Sequence, residues 1–163
     1  MADILTVDQM LANTAEPKRK HQWILSLAGL DAYTCMTATR PGGGTFNEQV
    51  IDYINSKRYL AGKFTPDDFA LTLWDPLAPS AAQKVDQWVK LCYEQLTGRA
   101  GYSAIYKKDF EIKLLDPPGG VAEKWQIKGG WIKVVKYNNL DYKDDTPVNI
   151  DLTIRYDQAV LLY

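Results

Sequence analysis

One segment near the end of the chain alternates strictly between apolar and polar residues. In residues 148–157 every even position is apolar and every odd position is polar. Because successive side chains of a strand point to opposite faces, this pattern predicts a β-strand with one buried and one solvated face. Such strands belong to antiparallel sheets that pack one side on a core. The even positions that we expect to anchor this core are Ile150, Leu152 and Ile154.

Further strands are predicted where shorter segments alternate in the same way. These segments are residues 21–28, 33–39, 69–74, 110–114 and 123–137. The first two are separated by a short connection and are predicted to form a hairpin, with Trp23 as a core anchor. Within residues 123–137 the apolar positions change parity across Gly129 and Gly130, which predicts a bulge or bend where the strand passes between two sheets.

A single long helix is predicted from about residue 80 to residue 97. Ser80 and Gln83 have the spacing of a capping box, and Gly98 stands where a helix C-cap glycine is expected. Apolar residues at positions 81, 85, 88, 89, 92 and 96 form a stripe with helical spacing. We expect this helix to flank the sheets with Trp88 as its main core anchor.

The segment 40–62 has apolar residues that follow neither the helical nor the strand period. Its glycine run, residues 42–44, lacks the features of a phosphate-binding loop. An apolar segment without a buried face indicates either an exposed loop or ribbon, or a contact with another chain. The residues that we select as candidate contacts with another chain are Val50, Ile51, Tyr53, Ile54 and Tyr59.

Composition and motifs argue against catalysis and against electrostatic binding of nucleic acid. The net charge is −1, whereas a nucleic-acid binder is expected to carry a basic surplus. His21, Cys35 and Cys92 have neither metal-ligand spacing nor the pattern of a nucleophilic site. We therefore predict no catalytic residue, cofactor, metal, signal peptide or membrane-spanning segment. The length of 163 residues fits one domain at 21–163, preceded by an arm at 1–20 that is either loosely held or docked on a neighbouring copy.

Five stretches in this order resemble the tail tube proteins of contractile-tailed (myovirus) bacteriophages, a family related to the type VI secretion tube protein. Residues 33–41 are similar to the family's second strand, and residues 64–75 to its aromatic, acid-pair and strand segment. Residues 81–88 resemble the start of its helix, and residues 127–131 its glycine–tryptophan turn. The last strand resembles the family's terminal strand.

This resemblance implies a mainly β fold, a β-barrel-like sandwich of two packed antiparallel sheets with one flanking helix. It also implies a structural protein whose hexameric rings stack into a hollow tube that conducts viral DNA. The implied partners are other copies, the contractile sheath, baseplate and tail-terminator proteins, with the tape-measure protein and DNA in the lumen. The implied location is the virion tail, assembled in the host cytoplasm. If each copy gives four strands, the roughly 24 strands at ~4.8 Å spacing make a ring about 37 Å in diameter.

Three other functions remain open from the sequence. The chain could form the inner tube of a type VI secretion or phage-derived injection system, which has the same fold. It could be a baseplate or tail-end relative of the tube. In a different class, a monomeric β-sandwich could use its aromatic residues to bind a ligand.

Overall fold

The computed structural model describes residues 16–163, so most of the predicted arm lies outside the described residues. The strands and helices, in chain order, are β1 (Trp23–Leu27), β2 (Cys35–Ala38), β3 (Gly44–Tyr53), β4 (Ser56–Pro66), β5 (Phe69–Trp74), α1 (Ala81–Cys92), α2 (Ser103–Tyr106), β6 (Lys108–Leu115), β7 (Val121–Tyr137), β8 (Asn149–Arg155) and β9 (Gln158–Leu161). A short 3-10 helix, Ala32–Thr34, precedes β2. No helix among these is both long and apolar enough to cross a membrane.

Within residues 16–163, two antiparallel four-stranded sheets share strand β7. The first half of β7 pairs with β6 and β9, and β6 also pairs with β1. The second half pairs with β8, which is followed by β5 and β2. The change of sheet falls at Gly129 and Gly130, and Gly129 has a φ of +67° that favours glycine. The predicted bend and the predicted class of two antiparallel sheets with a flanking helix are therefore confirmed.

The core lies between the inner faces of these sheets and helix α1. Ile150, Leu152 and Ile154 are buried, as the alternation of β8 requires. Trp88 is also buried, and its indole N–H donates to the Tyr106 carbonyl at 2.7 Å. Trp23 was expected to be a core anchor, but it is only half-buried. It is the first residue of β1, which stands at one end of the strand order.

The predicted hairpin between residues 21–28 and 33–39 is wrong. β1 pairs with β6, whereas β2 pairs with β5 on the other sheet. The chain turns at Leu27 and Leu30, and the 3-10 helix then leads it across to the second sheet. The two segments are therefore adjacent in sequence but belong to opposite ends of the strand order.

The predicted helix is correct at its start and five residues too long at its end. Ser80 accepts a hydrogen bond from the Gln83 amide at 3.4 Å, and the Asp75 carboxylate accepts one from the Ala81 amide at 2.8 Å. Helix α1 ends at Cys92 because Tyr93 has extended backbone angles. Gly98 closes a separate turn, with its amide donating to the Glu94 carbonyl at 2.8 Å.

Candidate assembly interface

Strands β3 and β4 form a hairpin that makes its own two-stranded sheet. Within residues 16–163, its strands pair only with each other, from Gly44 and Pro66 at the root to Tyr53 and Ser56 at the tip. The segment 40–62, expected as an exposed loop or ribbon, is therefore a regular ribbon, and its second strand continues to Pro66. A two-stranded ribbon without a third strand or a packed layer is only marginally stable in water.

Apolar side chains cover both faces of this hairpin. Residues opposite each other on antiparallel strands share a face. Val50 lies opposite Tyr59 on one face, whereas Ile51 lies on the other face together with Tyr53. The exposed fractions of the five predicted contact residues are Val50 47%, Ile51 51%, Tyr53 72%, Ile54 85% and Tyr59 64%. The structure thus brings the five together on one projecting ribbon.

The tip of the hairpin holds an apolar residue in a strained conformation. Ile54 and Asn55 connect the paired residues Tyr53 and Ser56, and Ile54 has a φ of +51°. Glycine normally occupies such a position, and a β-branched residue there is a genuine outlier. Strain of this kind is associated with functional sites.

A buried carboxylate anchors the root of the hairpin on the β3 side. Glu123 of β7 is 2% exposed and accepts hydrogen bonds from Arg40, Lys18 and the Trp125 indole. The two bonds from the Arg40 guanidinium are 2.8 and 2.6 Å long. Burial alone would raise the pKa of Glu123, but these donors lower it to about 2. Glu123 therefore stays ionised and joins residues that precede β1 and β3 to the sheet.

Gly42 lets the chain pass closely over the ring of Trp125. Its φ is +92°, and a Cβ atom at this position would lie 2.4 Å from the Trp125 ring. The Gly42 amide also donates to the Tyr156 hydroxyl at 3.4 Å. The direction in which the hairpin leaves the sheets is consequently set by contacts with β7 and with the end of β8.

A second ion cluster anchors the root on the β4 side. Asp68 accepts hydrogen bonds from Lys133 at 2.7 Å and from Arg155 at 2.8 Å. These two cations lower the pKa of Asp68 below its ordinary value. Arg155 also donates to the carbonyl of Pro66, the last residue of β4, at 2.7 Å. Both strands of the hairpin are thus tied to the sheets at the root while the rest of the hairpin projects.

Sequence patterns could have identified Glu123 as part of this site. It has the same parity as Trp125 and Ile127, so the strand pattern places its carboxylate on the core face of β7. A carboxylate at such a position requires cationic partners. The partners themselves, Lys18 and Arg40, are distant in sequence and carry no local signal.

Solved structures of contractile injection systems have the same architecture, although no protein-family model and no curated protein matches the chain. A chain from the sheath–tube complex of the extracellular contractile injection system PVC, in the extended state, has a TM-score of 0.71 and 12% identity, covering 96% of this chain and 98% of that chain. A chain of the anti-feeding prophage cap, the AFP tube terminating cap, has a TM-score of 0.73 and 16% identity, covering 91% and 93%.

This chain has the tail-tube fold. Hcp1 from Flavobacterium johnsoniae is also similar, with a TM-score of 0.53 and 12% identity over 86% of this chain and 94% of that one. The resemblance predicted from the sequence is therefore confirmed for the fold. Both contractile-system neighbours come from tube-associated complexes, one a sheath–tube complex and the other a tube terminating cap.

His21 and Cys35 line one cavity, whereas Cys92 is the last residue of α1. His21 is exposed, and burial raises the pKa of the Cys35 thiol to about 11 although a hydrogen bond with Thr34 opposes the shift. Burial also raises the pKa of Cys92. Within residues 16–163, no group of three or more His, Cys, Asp and Glu side chains is arranged to hold a metal ion. The strongest feature on the described surface is the exposed apolar hairpin.

Proposed function

We propose that the chain is a structural tube subunit of a contractile tail, in which rings of six copies stack into a hollow tube. The observation that carries the proposal is the β3–β4 hairpin, which projects from the sheets with apolar residues on both faces. A ribbon that is packed on both faces in the assembly needs no polar face. This explains why its sequence lacks strand alternation.

The hairpin supplies the contact between rings in this proposal. Val50 and Tyr59 contact one neighbour, and Ile51 and Tyr53 on the opposite face contact another. Ile54 extends the apolar surface to the tip. An apolar residue is retained there in a strained turn because its side chain enters the contact. The anchors at Glu123 and Asp68 hold the hairpin in a fixed direction, which lowers the entropy cost of docking.

Ring closure follows from the free edges of the sheets. An unpaired strand edge is a template for pairing, and a closed ring removes it. In the part of the chain that the structure describes, each sheet has four strands once β7 is divided at its bend, so six copies of either sheet supply the roughly 24 strands of a ring about 37 Å across. A wall of this size encloses a channel.

Two kinds of contractile assembly fit this role. In a phage tail the tube lies inside a contractile sheath between baseplate and tail-terminator proteins, and the tape-measure protein and viral DNA pass through its lumen. In an injection system the same tube delivers other cargo. The TM-scores of 0.71 and 0.73 with parts of extracellular contractile injection systems, against 0.53 with Hcp1, favour a contractile-tail tube over a type VI secretion tube.

Negative-stain electron microscopy of the purified full chain tests this proposal. Hollow rings about 37 Å across their channel, or tubes built from them, are the expected result. A chain that stays monomeric at high concentration, alone and with its sheath partner, would refute the tube function and favour the monomeric binding module. Particles from the native source then separate the two assemblies, because only a virion tube is attached to a DNA-filled head.

A further inference from the structure

We propose that residues 138–147 of one copy dock in a basic groove between β1 and β2 of a second copy. We call residues 138–147 the acidic loop. We call the space between β1 and β2, the two terminal strands of the strand order, the basic groove. The inference rests on the proposed tube function and adds a specific contact to it. It concerns surfaces other than the β3–β4 hairpin.

The basic groove has an apolar floor. β1 and β2 stand at the two ends of the strand order, and the space between them is a cavity of about 510 Å³. The apolar residues that line it are Trp23, Met36, Ala38, Ile112 and Leu114. Trp23 is half-buried and Met36 is 49% exposed, so both retain surface that a partner can cover. This volume lies within the range that is typical of ligand-binding pockets.

The rim of the basic groove carries a positive surplus. Its cations are Lys18, Arg19, Lys20 and Arg40. The Glu123 carboxylate neutralises one of the two positive charges of Lys18 and Arg40. The Glu16 carboxylate lies 2.9 Å from the Arg19 guanidinium and neutralises its charge. The rim therefore has a net charge of about +2, and Lys20 forms no ion pair within residues 16–163. A partner with apolar side chains and a negative charge fits this surface.

The acidic loop has the complementary composition. Leu140 is 83% exposed and Tyr142 is fully exposed, although both are large apolar or aromatic residues. Three aspartates and one lysine give the loop a net charge of about −2. The loop thus offers two apolar side chains surrounded by carboxylates, and the groove offers an apolar floor surrounded by cations.

Hydrogen bonds within the acidic loop give it a defined shape. The Asp141 carboxylate accepts from the Lys143 amide at 3.0 Å, and the Asp144 carboxylate accepts from the Thr146 amide at 3.0 Å. The bond from Thr146 lowers the pKa of Asp144, so this carboxylate is charged at neutral pH. Leu140 and Tyr142 are therefore presented from a preorganised loop, which reduces the entropy lost on docking.

The two surfaces do not touch within one described copy: no residue of the acidic loop lines the groove, and no ion pair within residues 16–163 joins the loop to the cations of the groove. β5 and β8 pair from Phe69 with Ile154 at one end to Trp74 with Asn149 at the other. The acidic loop precedes Asn149, whereas the groove follows β2 from Met36 to Arg40, just before the hairpin root. The proposed contact therefore joins two copies and repeats from copy to copy.

A photo-crosslinking residue at the groove tests this contact. Met36 is replaced by p-benzoylphenylalanine in the full chain, and the variant is mixed with isotope-labelled wild-type chain under assembling conditions before illumination. Mass spectrometry is expected to find Met36 joined to a labelled peptide from residues 138–147. Crosslinks to residues 1–15 of the same copy, or to any other segment in assembled particles, would overturn the proposed docking.

Charge reversal provides an independent measurement. Lys20→Glu and Asp145→Lys each alter a residue that forms no ion pair within residues 16–163, so neither should affect folding. Each single variant is expected to raise the concentration needed for assembly about fivefold, since exposed ion pairs are individually weak. The double variant should recover assembly.

The outcomes separate the docking contact from the tube function. Additive defects in the double variant, with rings or tubes still formed by the wild-type chain, would refute the docking contact alone. Absence of rings and tubes from every variant and from the wild-type chain would refute both.

Discussion

The hairpin assignment predicts that Ile51→Ser together with Tyr53→Ser prevents assembly without unfolding the subunit. Both side chains lie on one face of the β3–β4 hairpin and are largely exposed in the single copy. Their replacement removes little buried surface from the monomer. In the proposed assembly the same face is covered by a neighbouring copy.

The size of the effect follows from the surface that remains to be buried. Complete burial of a large apolar side chain contributes about 1.5–3 kcal/mol. Scaled by the exposed fractions of 51% and 72%, the two side chains together contribute about 2–4 kcal/mol to each contact. At 1.4 kcal/mol for each factor of ten, the association constant should fall about 20- to 500-fold.

Sedimentation velocity across a concentration series, combined with electron microscopy, measures this loss. The matched control is Leu77→Ser with Leu96→Ser, which also replaces two exposed apolar residues but away from the hairpin. The control is expected to form rings or tubes at wild-type concentrations. Circular dichroism and thermal unfolding of the dissociated chains establish that both variants retain the fold.

Two results would refute the reasoning about the hairpin. Normal tubes from the Ile51 and Tyr53 variant would mean that this face stays exposed in the assembly. An equal loss of assembly in the control would mean that any decrease in surface apolarity weakens association, with no special role for the hairpin.

Three further predictions concern the subunit itself. Trp88→Ala should lower the free energy of unfolding by about 3–5 kcal/mol in urea titrations, because it removes a buried indole; an effect near zero would contradict the assigned core. Gly42→Ala should destabilise the chain by about 1–3 kcal/mol more than Gly98→Ala, since both have positive φ but only the first Cβ meets the Trp125 ring. Glu123 has a pKa of about 2 against an ordinary 4.5, so its stabilisation is present above pH 4.5 and is lost as the pH falls toward 2; in acid unfolding, Glu123→Gln should lack this decline, and identical profiles would contradict the ion cluster.

Local sequence patterns predicted the parts of the fold that local physics determines. The alternation of β8, the capping residues of α1 and the parity change in β7 each act within a few residues. Strand partners are different, because β1 pairs with β6 at positions about 90 residues away, such as Trp23 with Leu114. The short connection between β1 and β2 suggested a hairpin that does not form, because each of these strands pairs with a strand distant in sequence.

The end of α1 and the hairpin β3–β4 were hidden from the sequence for separate reasons. In residues 93–98 the apolar and turn residues still have the spacing expected if α1 continued, although the backbone is no longer helical at Tyr93. In the hairpin, apolar residues on both faces remove the alternation by which strands are recognised. The five candidate contact residues could still be selected because they had no buried face, whereas the Glu123 cluster depends on contacts between distant segments.

In the proposed tube, the placement of the hairpin and the 138–147 loop at different ends of the second sheet gives each copy a direction. Contacts that join unlike surfaces are heterologous, and copies joined in this way all point the same way. A tube built from them is a polar filament, with hairpins free at one terminus and loops free at the other. Initiation and termination then require two different proteins, because a cap that recognises one terminus finds a different surface at the other.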